Sequence, residues 1–178
     1  MRKFGYLAGL VITLSVILTA CSNIDPIAID YGNDRCDWCK EVINDNRFGA
    51  GMVLNDGTVL KFNSIECMMA FHLHPTVERS TFIASFVSDY NQPGSIKRAG
   101  LVHFVHTDLV ESPKGAGLFA FSTEADAKTF AEEHNGKLCV WDDLPPYARQ
   151  VFFPDEVRQT ESNDAMPADS SQVDTTGM

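Results

Sequence analysis

Two separated stretches of the chain carry one pattern: a strand-like apolar run ending in phenylalanine, a hydroxyl residue just after it, and then a helix-like run holding a second phenylalanine. Phe62, Ser64 and Phe71 in the first stretch correspond to Phe121, Thr123 and Phe130 in the second at one constant offset. In the first stretch, FGAGMVL from Phe48 and TVLKF from Thr58 flank Asn55-Asp56-Gly57, and Asp-Gly supplies the positive φ of a tight hairpin. A helix then begins at Asn63 or Ser64 and stops before Pro75. In the second stretch, GLVHFVH and GLFAF read as strands, and a helix capped by Ser122 or Thr123 closes at Gly136. KLCVW follows as a short strand. The pattern predicts an α+β fold of two related ββα(β) units with small mixed sheets and packed helices.

The two ends of the chain read differently. Arg2 and Lys3 precede an apolar run from Tyr6 to Leu18, and LTAC, Leu18 to Cys21, matches the bacterial lipobox. Residues 1–20 are therefore expected to be a lipoprotein signal peptide, with Cys21 acylated in the mature chain and seated in a lipid bilayer. Ser22, with no aspartate at that position, points to the outer membrane, facing the periplasm. Residues 21–34 read as a tether and 35–154 as the core, divided at about 35–95 and 96–154. From Asp155 onward, six acidic residues, one arginine and few large apolar groups predict a disordered acidic tail over 155–178. Removing 1–20 takes Arg2 and Lys3 and no acidic residue, so 14 basic residues become 12 against 24 acidic ones, a net charge of −12. Such a surface repels nucleic acid.

The candidate chemistry lies in the first unit. It holds Cys36, Cys39, Met52, Cys67, Met68, Met69, His72 and His74, whereas the second has Cys139, His103, His106 and His134 and no methionine. Thiolate and thioether sulfurs are soft donors that select Cu(I), while zinc favours thiolate with imidazole. Cys67, Phe71 and His74 share one face of the first helix, and Met68 and His72 share the next. The expected metal set is Cys36, Cys39, Cys67, Met68, Met69 and His72. The same residues leave other readings open: disulfide staples in a structural or interaction lipoprotein, a structural zinc site, or a thiol–disulfide oxidoreductase. The last lacks the strand–helix setting that would stabilise its thiolate.

From Cys36 to Phe71, CDWCKEVINDNRFGAGMVLNDGTVLKFNSIECMMAF resembles the NosL family, lipoproteins that accompany nitrous oxide reductase. That family pairs a lipobox with a C-x-x-C-G-M segment, and its later PMG-x-GL-x-AF segment is similar to SPKGAGLFAF from Ser112. The resemblance implies two related ββαβ units and no catalysed reaction. It also implies Cu(I) as cargo and delivery to a copper-accepting enzyme or assembly factor, with the nitrous oxide reductase centre as destination. Two positions depart from the family pattern: Lys40-Glu41 stand where it has Gly-Met, and Lys114 stands where it has Met. Each departure removes a thioether.

Overall fold

The computed structural model describes residue 24, residues 26–78 and residues 81–164. The apolar leader, Cys21 and the chain beyond 164 lie outside these residues. Among them no helix is long and apolar enough to cross a membrane.

The first unit contains β1 (Ala50–Leu54), β2 (Val59–Phe62), α1 (Ile65–Leu73), β3 (Phe82–Asp89) and β4 (Gln92–Arg98). The second contains β5 (His103–His106), β6 (Leu118–Phe121), α2 (Glu124–Glu133) and β7 (Lys137–Cys139), followed by α3 (Leu144–Phe152) and α4 (Pro154–Asp164). The first sheet runs β2-β1-β3-β4 and the second β6-β5-β7, with every ladder antiparallel. In each unit a hairpin is followed by a helix, and the next strand returns to the free edge of the hairpin's first strand. That is one ββαβ topology used twice, with β4 added to the first.

The repeated residues occupy equivalent places. Phe62 and Phe121 end β2 and β6, and neither is exposed. Ser64 and Thr123 are the N-caps of α1 and α2, where Ser64 Oγ accepts from the Cys67 N–H at 3.3 Å and Thr123 Oγ1 from the Asp126 N–H at 3.1 Å. Each cap satisfies a helix donor that has no partner within the helix. Past Glu133 the left-handed residue is Asn135, at φ 49°, and not the expected Gly136. Gly136 serves close approach instead, since a Cβ there would meet Val105 Cγ1 at 2.7 Å.

Three boundaries differ from the sequence expectation. β4 crosses the division placed at 95/96 and pairs with β3, so the first unit extends to Arg98. The stretch read as a tether is bound over its second part: Ile27 is buried, Ile29 and Tyr31 pack on the core, and the Tyr31 hydroxyl lies 3.0 Å from Ser88 Oγ. Gly51 in β1 makes room for this, because a Cβ there would stand 2.0 Å from Ile27 Cδ1. Finally, α4 carries helix to Asp164, into the stretch expected to be a disordered tail. Asp155 and Glu156 suit a helix N-terminus, and Arg149 Nη1 reaches Glu156 Oε2 at 3.1 Å, tying α4 to α3.

One apolar cluster spans both units, joining Met52, Phe62, Met68 and Met69 to Phe104, Leu118, Leu144 and Ala148. A second gathers Phe119, Phe121 and Phe130 of the second unit, with Phe48 and Tyr90 of the first packed onto them. Asp89, fully buried, accepts from the Asn91 and Ser122 N–H groups, and the Tyr90 N–H donates to the Ala120 carbonyl. α1 thus lies between the two units, with α3 against it.

Candidate metal centre

The segment from Arg35 to Val42 is a short hairpin. Arg35 bridges Val42, the Cys36 N–H donates to the Glu41 carbonyl at 2.8 Å, and the Lys40 N–H donates to the Cys36 carbonyl at 2.9 Å. Closing so tight a turn puts Lys40 at φ 64°, a conformation costing an L-residue roughly 1–2 kcal/mol. The Arg35 guanidinium donates to the Lys40 carbonyl at 3.0 Å, and the Lys40 ammonium donates to the Asp37 carbonyl. Asp37 fastens the turn to β2: its N–H donates to the Lys61 carbonyl at 2.8 Å and its carboxylate accepts from the Lys61 N–H at 2.7 Å. The turn therefore presents Cys36 and Cys39 beside the start of α1, where Cys67 sits in the first helical turn.

The Cys36, Cys39 and Cys67 sulfurs all lie within 4.8 Å of one another, and among the described residues no other group of three His, Cys, Asp or Glu side chains converges in this way. With thiolate–metal bonds of about 2.3 Å, three sulfurs around a trigonal ion stand about 4 Å apart. The cluster needs to contract by less than an ångström to close on an ion. Cys36 and Cys67 have no exposure, and Cys39 is half-buried.

The three thiols do not ionise alike. The Cys67 thiol donates to the Cys36 sulfur; burial opposes the charge there, but backbone N–H groups of Asn63, Cys39 and Trp38 add further hydrogen bonds, and the Cys36 pKa falls to about 5. Cys67, holding its proton for Cys36 and buried, is raised. Cys39 is raised as well, chiefly by burial. The metal-free cluster at neutral pH is one thiolate sharing the protons of two thiols.

Around the sulfurs stands a polar rim. The Asn63 amide donates to Cys39 Sγ at 3.5 Å and to Glu41 Oε2 at 3.4 Å, and the Lys114 ammonium lies 2.5 Å from the same Glu41 oxygen. The two positions where the chain lacks the family's thioethers have thus become a single ion pair beside the thiols. Glu66, the residue before Cys67, is fully buried and accepts from the β5–β6 loop. A lone acid in the apolar run IECMMAF was the signal for it, since a buried carboxylate persists only with donors around it.

Of the six expected ligands, the structure brings three together. Met68 and Met69 have no exposure and lie in the apolar cluster that also takes in Cys36 and Cys67. His72 faces elsewhere, its ring 5.3 Å from that of Phe82 on the wall of a cavity of about 390 Å³ that Arg98 and Trp141 also line. Five positions beyond Cys67 is well round the helix, which is why sharing a face with Met68 does not bring His72 to the thiols. Trp38, between the two cysteines, packs edge-on against His74 and Phe152 and beside Phe153. Cys139 is buried apart from the cluster, its thiol donating to the Lys137 carbonyl at 3.4 Å.

The chain is similar to known proteins over this whole region. It is 26% identical over 158 residues to the copper-binding lipoprotein NosL of Stutzerimonas stutzeri, an alignment covering 81% of this chain and 82% of that protein. Its fold matches the crystal structure of the copper chaperone NosL from Shewanella denitrificans, with a TM-score of 0.58 at 23% identity over 66% of this chain and 93% of that one. The NosL family model matches residues 26–148, from the first packed residues of the supposed tether through to α3. The chain belongs to the NosL family.

Proposed function

We propose that this protein is a lipid-anchored envelope protein that takes up one Cu(I) at Cys36, Cys39 and Cys67 and passes it to a copper-accepting enzyme or assembly factor. The convergence of three thiols in a largely buried pocket carries this reading. Three soft, anionic donors favour a soft monovalent ion, and three-coordination leaves room for a partner's ligand to enter before one of these leaves. The nitrous oxide reductase centre is the destination that family membership suggests. The anchor is an acylated Cys21, with the outer membrane as its site. No catalysed reaction is needed for such a carrier. Met68 and Met69 serve as packing behind the sulfurs, and His72 lies outside the metal set.

The test is competition with a chromogenic Cu(I) chelator under reducing conditions. The protein should withdraw one equivalent of Cu(I). The Cys36→Ser/Cys39→Ser variant should lose most of that affinity, while Met68→Leu and Met69→Leu should change it little. An unaltered affinity in the double cysteine variant would refute the site. A second reading rests on the same proximity: two of the three sulfurs could join as a disulfide staple. Resistance of the half-buried Cys39 to alkylation under mild reductant, relieved only by strong reductant, would favour it.

A further inference from the structure

Three charged side chains next to the thiols have no task in copper binding as just described: Glu66, Lys114 and Glu41. Glu66 accepts from the Ser112 hydroxyl, from the Lys114 N–H at 2.8 Å and from the Ala116 N–H at 3.0 Å, while Ser112 Oγ accepts from the Gly117 N–H at 2.9 Å. The carboxylate of a residue on α1, in the first unit, therefore fixes a loop of the second unit at three points. That loop carries Lys114, whose side chain is 17% exposed, and its ion-pair partner Glu41 is 61% exposed. The ammonium lies on the inner side and the carboxylate on the solvent side. The pair is tied to the thiols through Asn63, whose amide donates both to Cys39 Sγ at 3.5 Å and, at 3.4 Å, to the same Glu41 oxygen that meets the Lys114 ammonium at 2.5 Å.

We propose that Glu66 is a positioning residue for the thiol site: by fixing residues 112–116 it holds Lys114 beside the sulfurs, where the Lys114–Glu41 pair forms a latch that an incoming ion or acceptor has to open. The proposal rests on the reading of the three thiols as the metal site. A latch with one partner in solvent is weak and is screened by salt, which suits a carrier that must both load and release. It also joins the two units at their cleft, because Glu41 belongs to the cysteine hairpin and Lys114 to the second unit.

The test uses the reduced, metal-free protein and a neutral alkylating agent, iodoacetamide, with modification of Cys39 followed by mass spectrometry at low and high sodium chloride. In the wild type the reaction should speed up with salt. Lys114→Gln should raise the low-salt rate roughly fivefold and remove the salt dependence. Glu66→Gln, nearly isosteric but with one acceptor oxygen where three donors converge, should do the same. A Lys114→Gln rate no higher than wild type would overturn the proposal, as would a lower one, which would make Lys114 a stabiliser of the Cys39 thiolate. So would a Glu66→Gln variant that reacts faster yet keeps the wild-type salt dependence, since Glu66 would then support the fold alone. The reaction needs no metal, so a protein that shows the latch but takes no Cu(I) refutes the copper reading, and one that takes Cu(I) without a latch refutes this inference.

Discussion

At the scale of single residues, the cluster owes its character to one hydrogen bond. Cys67 donates to Cys36, and the Cys36 pKa falls to about 5 as a result. An unfolded cysteine titrates at about 8.5, so between these values the unfolded chain binds a proton that the native protein does not. Stability from this group is therefore fully present above about 8.5 and is lost as the pH falls toward about 5. Cys39 and Cys67 are raised and act in the opposite sense at alkaline pH, so the cluster contributes most near the unfolded value. Thiolate absorbance at 240 nm in the reduced, metal-free protein should thus show one group titrating near 5. Cys67→Ala, which deletes the donor, should move that inflection upward by well over a unit, and an unmoved inflection would deny the bond its role. CDWCKE and IECMM were legible as soft donors of one expected metal set, but which of its six members meet was not. It depends on the Asp37–Lys61 pairing that sets the cysteine hairpin against β2, a contact between residues far apart in the chain. Glu41 and Lys114 likewise read as two separate losses of thioether, and only the fold makes them one ion pair.

Elements were legible where local chemistry and burial agree. The Asp-Gly hairpin and the apolar strands of both hairpins formed as read, and of each pair of cap candidates the second, Ser64 and Thr123, caps its helix. β4 did not announce itself, because QPGSIKR contains Pro93 and Gly94 and is mostly polar; it is an edge strand, where a missing donor and exposed side chains are tolerated. α3 was hidden by Pro145 and Pro146, which fall in its first turn, where the absent N–H costs nothing and the fixed φ suits a helix. Ile27, Ile29 and Tyr31 looked like part of a linker because three scattered apolar residues form no run. Their burial depends on the bare face left by Gly49, just before β1, and Gly51 within it. Gly51→Ala should consequently cost about 1–3 kcal/mol, since the new methyl would stand 2.0 Å from Ile27 Cδ1 and 2.7 Å from the Leu60 carbonyl oxygen, which is backbone of the neighbouring strand. Urea unfolding would measure this, and an unchanged midpoint would mean that residues 26–31 do not hold the sheet as described.

Across the whole molecule, the repeat builds two sheets that share a core and leave α1 between them, so the helix bearing Cys67 touches both units. The proposed metal site borrows from this arrangement. Its sulfurs come from the first unit, and its rim is closed by a loop of the second, through Glu66 on one side of that loop and Glu41 on the other. Besides the added β4, the two units differ in this loop, since β1 and β2 are joined by a short turn and β5 and β6 by residues 107–117. The length that breaks the internal repeat is the length that reaches the thiols. The central claim, that three thiolates and no other donor hold the copper, is tested most directly by X-ray absorption at the copper edge of the Cu(I)-loaded protein. The account predicts an edge typical of three-coordinate Cu(I), with three sulfur neighbours and no nitrogen or oxygen, falling to two sulfurs in Cys67→Ser and staying unchanged in Met68→Leu and His72→Gln. A nitrogen neighbour in the wild type, or a Cys67→Ser spectrum that matches it, would contradict the claim.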